Sequence, residues 1–220
     1  MKKLRALIFD FDGVIAESTD IKKDAFAFLF RAYPKETVDR VVSYHMQHGG
    51  ISRFKKFDYI YREILNKKLT PQGKNKLGKQ FAGFVYKKVV SCDYVKGAYE
   101  FLKKFHVDFK LFIVSGTPEK EIRAIVKKRR LDDFFVEVLG APQSKVLLNK
   151  NILSKYGFKP GEVIYVGDSQ DDYYGAVKNK IKFIARITDT NNGFFKGLKI
   201  YGRIKDFFEL RLWLMARKYV

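Results

Sequence analysis

The chain has 220 residues, 46% of them hydrophobic and 16% aromatic, which suffices for a packed core and excludes a disordered composition. Its single cysteine, Cys92, excludes an internal disulfide framework and suits a reducing cytoplasm. The net charge of +20 would attract polyanions or anionic substrates, but the lysines are spread along the whole chain, and such a surface also serves solubility.

Leu4–Phe9 is a short apolar run that stops at Asp10, and it predicts a buried strand. Interrupted by Arg5, it is too short for a secretory leader, and no stretch of the chain approaches a membrane span. From Glu17 to Cys92 there is no convincing strand. Asp20–Ala32, Val38–His48, Phe54–Leu65 and Gln72–Val90 have helical periodicity and carry many Phe and Tyr residues, so this stretch predicts a helical insertion. Its linkers fall near Ala16–Ser18 and Ser91–Tyr94. Beyond it, strands at Lys110–Val114, Phe134–Leu139, Val163–Val166 and Phe183–Ile187 alternate with helices at Val95–Phe105, Pro118–Arg130, Ser144–Tyr156 and Tyr173–Lys180. Thr117 is expected to cap the helix that Pro118 and Glu119 open. Phe207–Met215 reads as a closing helix. Alternating strands and helices imply a doubly wound, parallel α/β sheet covered on both faces.

In such a sheet, ligands bind beyond the carboxyl ends of the strands. Four strand ends carry chemistry here: Asp10-Phe11-Asp12-Gly13-Val14, Ser115-Gly116-Thr117-Pro118, a lysine at Lys145 (with Lys150 as its rival), and Gly167-Asp168-Ser169-Gln170-Asp171-Asp172. Each fragment alone is an ordinary turn or cap. Together they deliver carboxylates, a hydroxyl and an ammonium to one edge of one sheet, which suits phosphoryl transfer. Magnesium held by carboxylates and a lysine charge neutralise a phosphate dianion, and amides at a helix start can bind its oxygens. A carboxylate can be the covalent nucleophile, and a second acid two residues along can protonate the leaving alcohol.

These four fragments, in this order, resemble the motifs of the haloacid dehalogenase superfamily. The helical insertion is similar to the cap of its phosphoglycolate phosphatase and β-phosphoglucomutase-like branch. The resemblance implies a Rossmann-like core of residues 1–16 and 93–220 with an all-helical cap, residues 17–92, inserted after the first strand. It implies Asp10 as nucleophile, Asp12 as general acid and base, and Mg2+ held by Asp10, Asp168 and the Asp12 carbonyl. Asp172, or Asp171 in its place, would orient metal-bound water. Ser115 and the amides of Gly116 and Phe11 would bind the phosphoryl group, and Lys145 would neutralise it. The implied activity is a Mg2+-dependent phosphatase acting on a small phosphorylated metabolite, a sugar phosphate, phosphoglycolate or nucleotide. Mutases of the branch carry a histidine where Lys22 aligns, so the resemblance favours hydrolysis over a phosphomutase. A basic nucleic-acid-binding protein with a residual phosphatase core is the alternative of another class.

The remaining candidates have plain readings. His45 and His48 lie one turn apart without a nearby acid, a poor metal site. The Lys127–Arg130 cluster reads as a solvated helix end. Cys92 is a small apolar filler. The connection Gly49-Gly50-Ile51-Ser52-Arg53-Phe54 resembles a substrate-specificity loop, with Ser52 as helix cap and Arg53 a candidate for contact with a second anion of the substrate.

Overall fold

A computed structural model describes residues 3–220. Six strands form one parallel sheet: β1 (Ala6–Phe9), β2 (Lys110–Pro118), β3 (Glu137–Ala141), β4 (Val163–Gly167), β5 (Lys182–Arg186) and β6 (Gly202–Ile204). Their order is β3-β2-β1-β4-β5-β6, and every adjacent pair runs parallel. The first four of these strand pairings join the five strands expected from the sequence. β6 was not expected, because three residues, Gly-Arg-Ile, are too few to show a periodicity.

Strands in such a sheet must be apolar on both faces, and alternate residues divide between two cores. Leu7, Phe9, Leu111, Ile113, Ile164 and Val166 pack on one side and Ala6, Ile8, Phe112, Val114, Val163 and Tyr165 on the other. On the first face lie α5 (Ala98–Phe105), α6 (Glu119–Lys128) and α9 (Phe207–Ala216). The second face is covered by α7 (Lys145–Tyr156) and α8 (Gln170–Val177).

Between β1 and β2 run α1 (Thr19–Leu29), α2 (Lys35–Gln47), α3 (Arg53–Tyr59), extended by a π turn over Ile60–Ile64, and α4 (Pro71–Ser91). Phe26, Val41, Phe57 and Phe81 form their shared interior, which is continuous with the first core. Thus the Phe/Tyr-rich pattern is packing. The two strands of chain that lead into and out of these helices lie side by side. Ala16 bridges Tyr94, Glu17 N donates to Asp93 O at 3.0 Å, and Val95 N donates to Ile15 O at 3.0 Å.

Arg129 differs from the solvated reading of its cluster. It is buried, and its Nη1 donates to the carbonyls of Val89, Val90 and Cys92 at 2.8, 3.0 and 2.9 Å. A guanidinium thereby satisfies the free carbonyls at the end of α4, where a cation also suits the helix dipole. Its partners are backbone groups, which no side-chain pattern announces.

Candidate active site

The strand order reverses between β1 and β4, so their carboxyl ends flank a crevice of the kind that binds ligands in doubly wound sheets. Asp10 follows β1 and Asp168 follows β4. One carboxylate oxygen from each, with one from Asp172, lie within 4.8 Å of one another.

Asp172 owes its position to the start of α8. Ser169 caps the helix, and its amide and hydroxyl donate to Asp172 Oδ2 at 3.1 and 2.6 Å. This reciprocal cap starts the helix at Gln170, three residues before the expected Tyr173, and turns Asp172 into the protein. Its other oxygen, Oδ1, accepts from Lys145 Nζ at 2.6 Å and lies 2.7 Å from the Tyr165 hydroxyl. Asp171 faces a neighbouring cavity, and its Oδ2 is buried without a partner.

Lys145 opens α7 behind the cap residue Ser144, and it is buried. Its Nζ bridges Asp172 and Asp10, 2.9 Å from Asp10 Oδ2. Burial alone would lower its pKa, but these two carboxylates outweigh burial and raise it. Lys150 lies exposed on the same helix. The other Asp10 oxygen, Oδ1, accepts from the Phe11 amide at 2.7 Å. Burial, then the charge of Asp172, push the Asp10 carboxyl up to about 7 in spite of Lys145. Asp168 is raised well above its usual range by burial and by Asp172 and Asp10.

One ammonium thus faces three mutually repelling carboxylates. An all-oxygen donor set with excess negative charge fits Mg2+, which takes one or two carboxylates and keeps waters. Asp10, whose two oxygens accept one bond each, from the Phe11 amide and Lys145, and Asp168, whose carboxylate accepts none among the described residues, have lone pairs left to hold it. Asp172 is committed to Lys145, Tyr165 and Ser169.

Asp12 behaves differently. Burial would raise its pKa, but Lys22, Ser18 and Thr117 together lower it. Lys22 Nζ donates to Asp12 Oδ2, Ser18 Oγ to Oδ1 at 2.7 Å, and Thr117 Oγ1 to Oδ2 at 3.1 Å. Thr117 therefore does not cap α6: its hydroxyl belongs to Asp12, and Pro118 occupies the cap position without a side-chain bond. Gly13 follows with φ +71°, where a Cβ would come 2.2 Å from Asp168 Oδ2. The turn after β1 therefore requires glycine.

Ser115 is buried within β2, where the pairing with β3 becomes irregular after Val114, and Thr117 N donates to its Oγ at 3.1 Å. It shares a cavity of about 130 Å3 with Gly116, Lys145, Asp171 and Gly50. A Cβ on Gly116 would lie 2.5 Å from Gly50 O, and one on Gly50 would lie 2.5 Å from Ser169 Oγ. The glycine connection between α2 and α3 is thus pressed onto the strand ends that carry the site.

Arg53, just beyond, lines a small cavity with Asp10 and Asp12. Its fork is engaged by Glu121 of α6, with Nη1–Oε1 2.9 Å and Nη2–Oε2 2.5 Å. Ser52 accepts from Phe54 N at 3.4 Å, as a cap. His45 stacks on Phe26 with ring centroids 4.4 Å apart, and His48 packs on Tyr44. Neither belongs to the carboxylate group at the sheet edge.

Sequence reasoning missed Lys22, Ser18 and Thr117 as partners of Asp12, and Tyr165 as a partner of Asp172. Tyr165 left one signal, a lone hydroxyl in the otherwise aliphatic run Val163–Val166, since a buried hydroxyl needs a partner.

These features define a doubly wound α/β protein with a carboxylate-rich, lysine-neutralised site at the switch point of its sheet. The sequence profile of haloacid dehalogenase-like hydrolases matches residues 7–186, and the chain belongs to that family. A phosphoglycolate phosphatase from Vibrio vulnificus is 33% identical over 84 residues, a segment that spans 35% of this chain and 36% of the relative. Two solved structures share the fold. The HAD-hydrolase YfnB from Bacillus subtilis, bound to magnesium, superposes with a TM-score of 0.70 at 15% identity over 97% of this chain and 100% of that one. CbbY from Rhodobacter sphaeroides, in complex with phosphate, superposes with a TM-score of 0.74 at 14% identity over 94% and 96%. Among the described residues, no helix is long and apolar enough to cross a membrane.

Proposed function

We propose that the chain is a Mg2+-dependent phosphatase that hydrolyses a small phosphate monoester through an aspartyl-phosphate on Asp10. The observation that carries the reading is Lys145, buried between Asp10 and Asp172 beside Asp168. A lysine held there neutralises the nucleophile and an incoming phosphoryl oxygen together. The phosphoglycolate phosphatase relative supports a small phosphorylated acid as substrate, and the composition supports a cytoplasmic setting.

In this reading an Asp10 oxygen attacks phosphorus and the phosphorus–oxygen bond to the leaving group breaks. Asp12 gives its proton to the departing alkoxide, then takes one from a water that attacks phosphorus, releasing inorganic phosphate and free Asp10. The bonds from Lys22, Ser18 and Thr117 favour the ionised Asp12 of the second half. The first half needs the proton on Asp12, a state that the negative charge of an incoming phosphate monoester favours. Mg2+ on Asp10, Asp168 and the Asp12 carbonyl would neutralise phosphoryl charge as the nucleophile approaches. Ser115 and the Gly116 and Phe11 amides would hold the phosphoryl oxygens. Asp172 would keep Lys145 and the metal's water in place, with Asp171 beside it. Residues 17–92 would act as a cap over a core of residues 1–16 and 93–220, turning on the paired segments at Ala16 and Tyr94 and excluding bulk water when closed.

Lys22 favours hydrolysis over phosphoryl shuttling, because its ammonium is committed to Asp12. A phosphate-release screen over phosphorylated metabolites, with and without Mg2+, tests the reading. Metal-dependent release from at least one small monoester is expected. No release from any would overturn it.

A further inference from the structure

Lys56 has no place in that chemistry, yet it is only 2% exposed and lines the cavity that contains Asp10 and Asp12. It lies on α3 one turn after Arg53, on the face that also buries Phe57. Its Nζ lies 2.8 Å from His45 Nδ1 and 3.4 Å from the Gly49 carbonyl. Both partners are neutral acceptors, and burial together with the Lys56 and Lys22 charges holds His45 well below its ordinary pKa. Among the described residues no carboxylate pairs with Lys56. The other cations of this cavity are engaged, Lys22 by Asp12 and Arg53 by Glu121. A buried ammonium without an anion is costly, and proteins that keep one generally give it a counter-charge.

We propose that Lys56, held by His45 and Gly49, is the reader of a second anionic group on the substrate, and that this group is a carboxylate. The proposal rests on the phosphatase reading above and names the substrate class, a short phosphorylated carboxylic acid. The cavity, about 30 Å3, also opens on Asp10 and Asp12, so a group held by Lys56 would lie beside the reacting phosphate. A carboxylate brings one negative charge there, whereas a second phosphate brings up to two. One ammonium beside a neutral imidazole also balances one negative charge. Burial, then the Lys22 charge, lower the Lys56 pKa to about 7, and an anion bound beside it would draw the proton back onto the amine. Arg53, by contrast, already has an acid in its fork, so it closes the cavity wall instead of reading the ligand.

The experiment compares kcat/KM of the full-length protein with Mg2+ on 2-phosphoglycolate, ethyl phosphate and phosphoethanolamine, which carry a negative, no and a positive second charge. The wild type is expected to prefer them in that order. Lys56→Met is expected to reduce the ratio of 2-phosphoglycolate to ethyl phosphate by about 10- to 150-fold, the range for hydrogen bonds to charged groups, chiefly through KM. Lys56→Gln, which keeps a polar tip without charge, is expected to collapse the same ratio, and melting curves establish that both variants fold. A wild type without preference among the three, or variants that slow all substrates in parallel and keep the ratio, overturns the subsite and leaves the phosphatase reading standing. No phosphate release from any substrate overturns both.

Discussion

The Arg53–Glu121 pair joins the helical layer to α6 of the sheet domain, and its removal has a definite expected size. Arg53 and Glu121 side chains are 9% and 14% exposed, and two hydrogen bonds join them in a fork. The guanidinium also lies 5.0 Å from the centre of the Phe81 ring, while its Nε is buried without a partner. Removing one member of a buried pair leaves an uncompensated charge and costs about 3–5 kcal/mol. Because this pair borders a cavity that water can enter, the lower end applies, and Glu121→Ala is expected to cost about 3 kcal/mol. Arg53→Ala also loses the Phe81 contact. The double variant should be less destabilised than the two single losses added together, by about 2 kcal/mol, because it strands no charge. Urea unfolding of the four proteins gives the cycle, and kcat/KM for 2-phosphoglycolate measured in parallel shows whether the same pair also bears on turnover. Additivity of the two substitutions to within about 0.5 kcal/mol would refute the reasoning, since the fork would then carry no coupling.

Two further outcomes follow from the carboxylate cluster and from Lys56. Asp168→Ala should raise the Mg2+ requirement steeply or abolish turnover, whereas Asp172→Ala should cost about 10- to 100-fold, as for groups that orient metal ligands. Activity measured across a Mg2+ titration separates them, and a larger loss from Asp171→Ala than from Asp172→Ala would contradict the assignment. For Lys56 the sign is set by a folded pKa of about 7 below an unfolded value near about 10.4. Between those values the unfolded chain binds a proton that the folded chain lacks, so wild-type stability rises with pH by up to about 1.4 kcal/mol per unit. The groups around Lys56 are His45, Lys22 and Lys145, which disfavour its charge or leave it uncompensated, and Asp12 and Asp171, which favour it. Lys56→Met should therefore be more stable than wild type at neutral pH, with the advantage shrinking towards about pH 10; urea midpoints across that range check it, and a pH-independent difference would contradict the buried-cation account.

The sheet was legible because buried parallel strands leave short apolar runs that stop abruptly, and Asp10 and Asp168 stand at two such stops. The helices of the 17–92 stretch were legible from periodicity, and Phe26, Phe57 and Phe81 are indeed interior. What was not legible depends on contacts across the fold. Asp12 meets Thr117 across 105 positions of sequence, and no local pattern encodes that distance. Starting the helix at Tyr173 places α8 too late, although Ser169 and Asp172 carry the cap spacing that starts it at Gln170. Lys56 and Arg129 were hidden in another way. In a chain with 44 lysines and arginines, a buried cation looks like every exposed one. Only the tertiary structure separates them, by giving Arg129 three carbonyls and Lys56 a cavity.

The central claim is that Asp10 carries the phosphoryl group. Beryllium fluoride with Mg2+ forms a stable mimic of an aspartyl-phosphate, and its position can be read by crystallography or by 19F NMR. The account predicts an adduct on Asp10 in the wild type, its disappearance in Asp10→Asn, and loss of turnover in that variant with the fold intact. An adduct on any other residue, or near-normal turnover by folded Asp10→Asn, would contradict it.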